Sequence, residues 1–212
     1  GPLIGDEDVG RYVSIVVDAQ NNPHMLYYNV SRGRLTYIRR SNGNWTTPET
    51  VDGNPVAVGL HTSAAFDSTG KLHVVYYDRD NENLRYAVRA TNGTWTAGEI
   101  LDARPRVGLS SSIAVDSGDN LHVAYRDQTN NHLRYIKTVN GQWGNSVAID
   151  ESGNVGWKPS MVIDDQDNGA VEFQKLREQG AAHPIEATGK KLRSLFAWKQ
   201  QDSDYVEGSA AR

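Results

Sequence analysis

Apolar and polar positions alternate along this chain in a pattern that returns every 49 residues. Three short apolar runs, Ile15-Val16-Val17, Ala64-Ala65-Phe66 and Ile113-Ala114-Val115, each lie between a serine and an aspartate. Each aspartate opens a cluster of small polar residues, so each unit reads as a strand followed by a tight turn. The next runs are His24–Tyr28, His73–Tyr77 and His122–Tyr125, with period-two alternation that predicts a second strand. After another polar turn, Leu35 and Tyr37, Leu84 and Tyr86, and Leu133 and Tyr135 mark one face of a third strand. The pairs Asn42-Gly43, Asn92-Gly93 and Asn140-Gly141 suit the φ > 0 positions of a hairpin, and Trp45, Trp95 or Trp143 opens a fourth strand. A fixed period of this length is the signature of a repeat architecture.

Each repeat is therefore expected to be a four-stranded antiparallel meander. The connections between repeats, Asp52–His61 and Asp102–Ser110, are longer than the turns inside them. A β-propeller needs that long return, from the outer strand of one blade to the inner strand of the next. Apolar residues on both faces of each sheet agree with blades packed on one another. The expected fold is all-β, a partial β-propeller of four-stranded antiparallel blades at about 9–57, 58–106 and 107–154. A truncated fourth starts at 155–168, with Ser160-Met161-Val162-Ile163-Asp164 in place.

The segment 169–212 departs from the pattern. Gly169–Gln174 reads as a degenerate second strand of the fourth repeat, with Ala170 where a histidine should stand, and Phe173–Gln179 and Lys190–Gln201 read as short amphipathic helices. It is read as a cap on an open blade, a separate element, or an addition foreign to the repeats. Composition adds exclusions. A formal net charge of −4 gives no reason to expect nucleic acid as partner. The absence of cysteine excludes disulfides, thiolate metal sites and a cysteine nucleophile. No apolar run reaches the roughly 20 residues of a membrane span. Gly1-Pro2 matches the remnant a tag protease leaves, so a signal peptide could have stood before it.

Candidate chemistry sits at repeated positions. His24, His73 and His122 invite a metal reading, but equivalent residues one blade apart lie too far from the axis to share an ion. The expectation is a half-buried histidine bonded to a neighbouring blade, with no metal and no cofactor. Asp18, Asp67, Asp116 and Asp164 are expected to accept turn amides as Asx turns. Trp45, Trp95 and Trp143 are read first as packing between blades. The alternative is a shallow sugar-stacking pocket beside each Asn-Gly turn, with Asn42, Asn92, Arg85 and Arg134 as polar partners. No P-loop, dinucleotide fingerprint, zinc-protease motif or nucleophile elbow is present, and no catalytic residue is assigned.

The wording S-I-A-V-D-x-x-x-N-x-H-V-x-Y-x-D, then L-R-Y and N-G-x-W, resembles the repeats of exported bacterial and archaeal proteins related to sialidase-like (BNR/Asp-box) propellers. The resemblance covers about residues 9–168. Ser41-Asn42-Gly43-Asn44-Trp45 lacks the aspartate of an Asp-box and is not one. The resemblance implies an extracellular or cell-surface protein. The functional expectation is a non-enzymatic recognition, adhesion or scaffold module that binds carbohydrate or another cell-surface ligand. The alternatives are a sialidase-like glycoside hydrolase fragment and a purely structural repeat. Too few blades for a closed ring lead to the expectation of a homo-oligomer that completes it, with the tail as the competing cover.

Overall fold

The computed structural model describes residues 7–53, 58–96, 98–175 and 192–198. Every regular element among them is a strand, and the sheets follow the repeats. Blade 1 holds β1 (Val9–Val17), β2 (Pro23–Asn29), β3 (Arg34–Ser41), β4 (Asn44–Trp45) and β5 (Glu49–Thr50). Blade 2 holds β6 (Val58–Phe66), β7 (Leu72–Asp78), β8 (Asn83–Arg89) and β9 (Glu99–Asp102). Blade 3 holds β10 (Val107–Val115), β11 (Leu121–Asp127), β12 (His132–Val139), β13 (Gln142–Trp143) and β14 (Val147–Asp150). Blade 4 holds β15 (Trp157–Ile163), β16 (Gly169–Lys175) and β17 (Leu192–Trp198). Within each sheet the order is sequential and antiparallel. The fourth strand of blades 1 and 3 is split, because β4 and β13 pair with the end of the third strand and β5 and β14 pair further back along it. The inner strands β1, β6, β10 and β15 lie side by side in chain order, which is the arrangement of a partial propeller.

The tail is a correction. Residues 173–175 and 192–198, expected as helix, are strand. Val171 and Phe173 are buried while Glu172 between them is exposed, so the local period is two and not 3.6. The segment pairs with β15 and extends the sheet that the repeat began. Residues 176–191 and 199–212 lie outside the described residues.

The core consists of blade-to-blade joints. Leu26, Leu35, Tyr37 and Val51 of blade 1 pack with Ala64, Leu72, Val74 and Tyr76 of blade 2. Val75 and Leu84 pack with Val107, Ile113, Val123 and Tyr125 across the next joint. Ala124 and Leu133 pack with Val155, Met161, Val171 and Phe173 across the third. At each joint a glycine of the incoming inner strand closes on a leucine of the previous blade. An added Cβ on Gly59, Gly108 or Gly156 would lie 2.4 Å from Leu35 Cβ, 2.8 Å from Leu84 Cβ or 3.2 Å from Leu133 Cβ.

Polar bonds reinforce the joints. Tyr76 donates to Asp52 at 2.7 Å, and Tyr125 to Asp102 at 2.6 Å. Ser68 and Ser117 each donate a backbone amide and a hydroxyl to the carboxylate of Asp119 or Asp167 in the next blade. Ser63 and Ser112 accept the amides of Ile113 and Met161.

Candidate functional site

The repeated histidines form relays inside their own blades, not to a neighbouring one. Asp18, His24 and Tyr37 come from the end of β1, the start of β2 and the middle of β3. His24 Nε2 lies 3.1 Å from Asp18 Oδ2, and Tyr37 Oη lies 2.7 Å from His24 Nδ1. Blade 2 repeats this with Asp67, His73 and Tyr86 at 3.1 and 2.7 Å, and blade 3 with Asp116, His122 and Tyr135 at 3.1 and 2.6 Å. All three histidines are buried. Burial pushes each imidazole pKa down, against the opposing pull of its aspartate. The neutral ring then donates from Nε2 to the carboxylate and accepts the tyrosine hydroxyl at Nδ1.

For Asp18, burial works upward, but bonds from Asn22, His24 and Gln20 overcome it and hold the carboxyl at about 2. Its Oδ1 also accepts the amides of Gln20 and Asn22, as Asp164 accepts those of Gln166 and Asn168. The aspartates thus tie the turn to the relay. Tyr37 is pushed up to about 12, chiefly by burial. Three equivalent copies of one closed relay serve the fold. Among the described residues no group of histidine and carboxylate side chains could hold a metal ion.

The outer-edge residues are distributed as follows. Trp95 lies edge-on to Tyr37 of the previous blade, with ring centres 5.4 Å apart, and its indole N–H donates to Glu49. Trp143 lies in the same way on Tyr86 at 5.2 Å. Arg85 is buried, 3.3 Å from Asp52 and 3.4 Å from Asp78, and donates to the Gly98 carbonyl. Arg134 is buried and donates to Ser146. Asn42 occupies a left-handed turn position with φ 51°, and Asn92 accepts the amide and hydroxyl of Thr94. The structure does not bring these seven residues into one cluster. They sit at successive outer edges and joints.

A different set recurs along the inner strands. Every inner strand carries an irregularity just after its glycine, where the pairing register slips. The residue at that slip is left-handed in all four blades: Tyr12 (φ 55°), His61 (53°), Ser110 (52°) and Lys158 (49°). None is glycine, and three are bulky, so each position holds strain of about 1 kcal/mol or more that the surrounding ladder must impose. These residues stand near the start of each inner strand, just inside its glycine. Tyr12 and His61 face each other with ring centres 4.5 Å apart, and Tyr12 remains 40 % exposed. The His61 carbonyl accepts the Ser111 hydroxyl. Burial lowers the His61 pKa, which keeps the ring neutral at pH 7. At the joint of blades 3 and 4, the buried Arg126 guanidinium stacks 4.0 Å over Trp157 and donates to Asn131, Asn154 and the Val155 carbonyl. Burial brings its pKa down to about 10.

Sequence reading passed over this set because its members differ from blade to blade. The available signal was the invariant Val-Gly two residues earlier, which marks a bulge but no chemistry.

No family model matches the chain. Solved structures share its fold. A protein of unknown function from Dyadobacter fermentans superposes with a TM-score of 0.62 at 12% identity, over 86% of this chain and 51% of that one. An α-L-arabinofuranosidase from Clostridium thermocellum gives 0.56 at 13% identity, over 95% and 72%. A xylan β-1,4-xylosidase from Bacillus halodurans gives 0.56 at 10% identity, over 97% and 42%. A separate likeness is local. Over 47 residues the chain is 68% identical to a ketol-acid reductoisomerase of Pseudarthrobacter chlorophenolicus and 66% identical to that of an Arthrobacter strain. The match takes in 22% of this chain and 14% of the enzyme's length. It is shorter than one repeat. Among the described residues no helix is long and apolar enough to cross a membrane.

Proposed function

We propose that this propeller is a carbohydrate-recognition module, exported to act outside the cell, and that its glycan docks at a mouth formed by the inner-strand bulges. The observation that carries the reading is the Tyr12–His61 pair, an exposed aromatic face beside a neutral imidazole, held by strained backbone beside the other inner-strand bulges. A sugar offers an apolar C–H face for the ring and hydroxyls for polar groups. Ser110 and Lys158, at the equivalent bulges, supply a hydroxyl and an ammonium. The outer-edge set of Trp45, Trp95, Trp143, Asn42, Asn92, Arg85 and Arg134 is the competing location. Its arginines are already engaged by Asp52, Asp78, Gly98 and Ser146, which favours the mouth.

A sialidase-like hydrolase is the alternative function, and the folds of the arabinofuranosidase and xylosidase keep it in view. Glycoside hydrolysis calls for one carboxyl held protonated as general acid. Every carboxyl with a resolved pKa shift among the described residues moves down: Glu7, Asp18, Asp67, Asp102, Asp116 and Asp164. A glycan array probed with the full chain tests the reading. Binding should fall at least about tenfold in Tyr12→Ala, the scale of one lost aromatic contact, and stay level in Asn92→Ala. An array without binders, or the reverse response of the two variants, refutes it. Turnover of a fluorogenic glycoside panel would establish the hydrolase instead.

A further inference from the structure

Blade 1 exposes a face that every other blade buries. Ala64, Ile113 and Met161 occupy one position of the inner strand and are 8, 6 and 7 % exposed, whereas Ile15 at that position is 56 % exposed. Val17, also exposed, corresponds to Phe66 and Val115, which pack into joints. Three further features of blade 1 lack their counterparts. Gly10 keeps the left-handed conformation of Gly59, Gly108 and Gly156, but an added Cβ there would meet nothing within 4 Å. Tyr76 and Tyr125 donate to an aspartate at the end of the preceding blade, whereas the buried hydroxyl of Tyr27 has no hydrogen-bond partner among the described residues. Trp95 and Trp143 lie on a tyrosine of the preceding blade, and Trp45 has no ring partner among the described residues.

We infer that this face is a socket for one further blade of the same repeat, joined ahead of β1. That blade brings a leucine to Gly10, a tyrosine to Trp45 and an aspartate to the Tyr27 hydroxyl. The internal joints are the template, since Leu84, Tyr86 and Asp102 serve Gly108, Trp143 and Tyr125 in these ways. Leaving a buried hydroxyl unpaired is unfavourable, and an uncovered apolar sheet face adds to it.

A second copy of this chain fits less well. On its blades 1 to 3 the matching face is already covered by the next blade. Its blade 4 carries Leu195 at the register position of the tyrosine and Arg193 at that of the leucine.

The test adds a second copy of residues 58–106 ahead of Val9 in the full chain and follows thermal unfolding by circular dichroism. The extended chain should melt at least about 5 °C above the parent. Tyr27→Phe should lower that midpoint by a few degrees, roughly the effect of one buried hydrogen bond, and leave the parent's unchanged or higher. Asp→Asn at the aspartate of the added copy should abolish the Tyr27→Phe effect. An extended chain that fails to fold or melts no later than the parent overturns the inference, as does an equal effect of Tyr27→Phe in both chains. A parent that light scattering shows to be a dimer, split by Ile15→Lys, overturns it in favour of a second copy.

Discussion

Replacing Gly59 by alanine tests the account of the blade joint. The backbone there has φ +106°, and a new Cβ would stand 2.4 Å from Leu35 Cβ and 2.8 Å from Leu35 Cα. Neither atom can swing aside, because one is backbone and the other is fixed to it. Leu35 is fully buried in the joint, so relief requires the two blades to separate by on the order of 1 Å. Overpacking of this kind costs about 1–3 kcal/mol, and the strained backbone costs an alanine about 1–3 more. Gly10→Ala incurs the backbone part alone, since its φ is +91° and the space around it is open.

The pair of variants therefore separates contact from conformation. With about 2–4 °C lost per kcal/mol in a chain of this size, Gly59→Ala should melt roughly 4–24 °C below the wild type and Gly10→Ala roughly 2–12 °C below it. The decisive quantity is the gap between the two in one set of melts. Equal losses would mean that the glycine–leucine contact does not hold the blades together.

Two other consequences are open to direct measurement. Tyr125→Phe removes the bonds to Asp102 and Ser146 and should cost about 1–3 kcal/mol in urea unfolding, and a loss under about 0.5 kcal/mol would count against the joint. Stability should fall as the pH drops through the ordinary histidine pKa of 6.5, because His24, His73 and His122 bind protons less readily folded than unfolded. Each can contribute up to about 1.4 kcal/mol per pH unit, down to its own folded pKa, and His73→Gln should flatten that slope. The aspartates add a second loss further down: Asp18 has its carboxyl lowered from 3.8 to about 2, so its stabilisation fades as the pH falls across that interval. A flat stability profile between pH 7 and 5 would show that the relay histidines are not held neutral.

The fold was legible because the recurring residues are those that touch across joints. Ser63 meets Ile113, Ser68 meets Asp119 and Ser117 meets Asp167, at separations of 50, 51 and 50 residues. Bonded partners thus lie one repeat of 49 residues plus one or two positions apart. The Asn-Gly turns were legible too, with one refinement. In blades 1 and 3 both residues are left-handed, as a two-residue turn requires. In blade 2 only Gly93 is, and its amide bonds back to the Ala90 carbonyl, so that hairpin is one residue longer.

The relays were half legible. The Asx role of Asp18 and its equivalents follows from the turn sequence, but a histidine's partner on another strand depends on register, which no single residue announces. The second strand of blade 4 was legible at Gly169–Gln174, but 173–175 and 192–198 were misread as helix because short segments with apolar residues at mixed spacing have no decisive period, and sheet pairing chose strand.

The same logic explains why the candidate site was hidden. A position repeated in every blade is constrained by the joint and cannot be tuned to a ligand in one blade alone. Val-Gly before the bulge and Ser after it are such positions, fixed by the leucine contact and by the amide of the next inner strand. The residue between them is held left-handed by those neighbours whatever its side chain, as tyrosine, histidine, serine and lysine at φ 49–55° demonstrate. Its conformation is shared and its chemistry is free. In a ring of near-identical blades, that combination occurs where side chains can differ without loosening the frame. The proposed recognition site uses these positions, so exchanging Tyr12 for serine should alter glycan binding while leaving the glycine–leucine contacts of the blade joints intact.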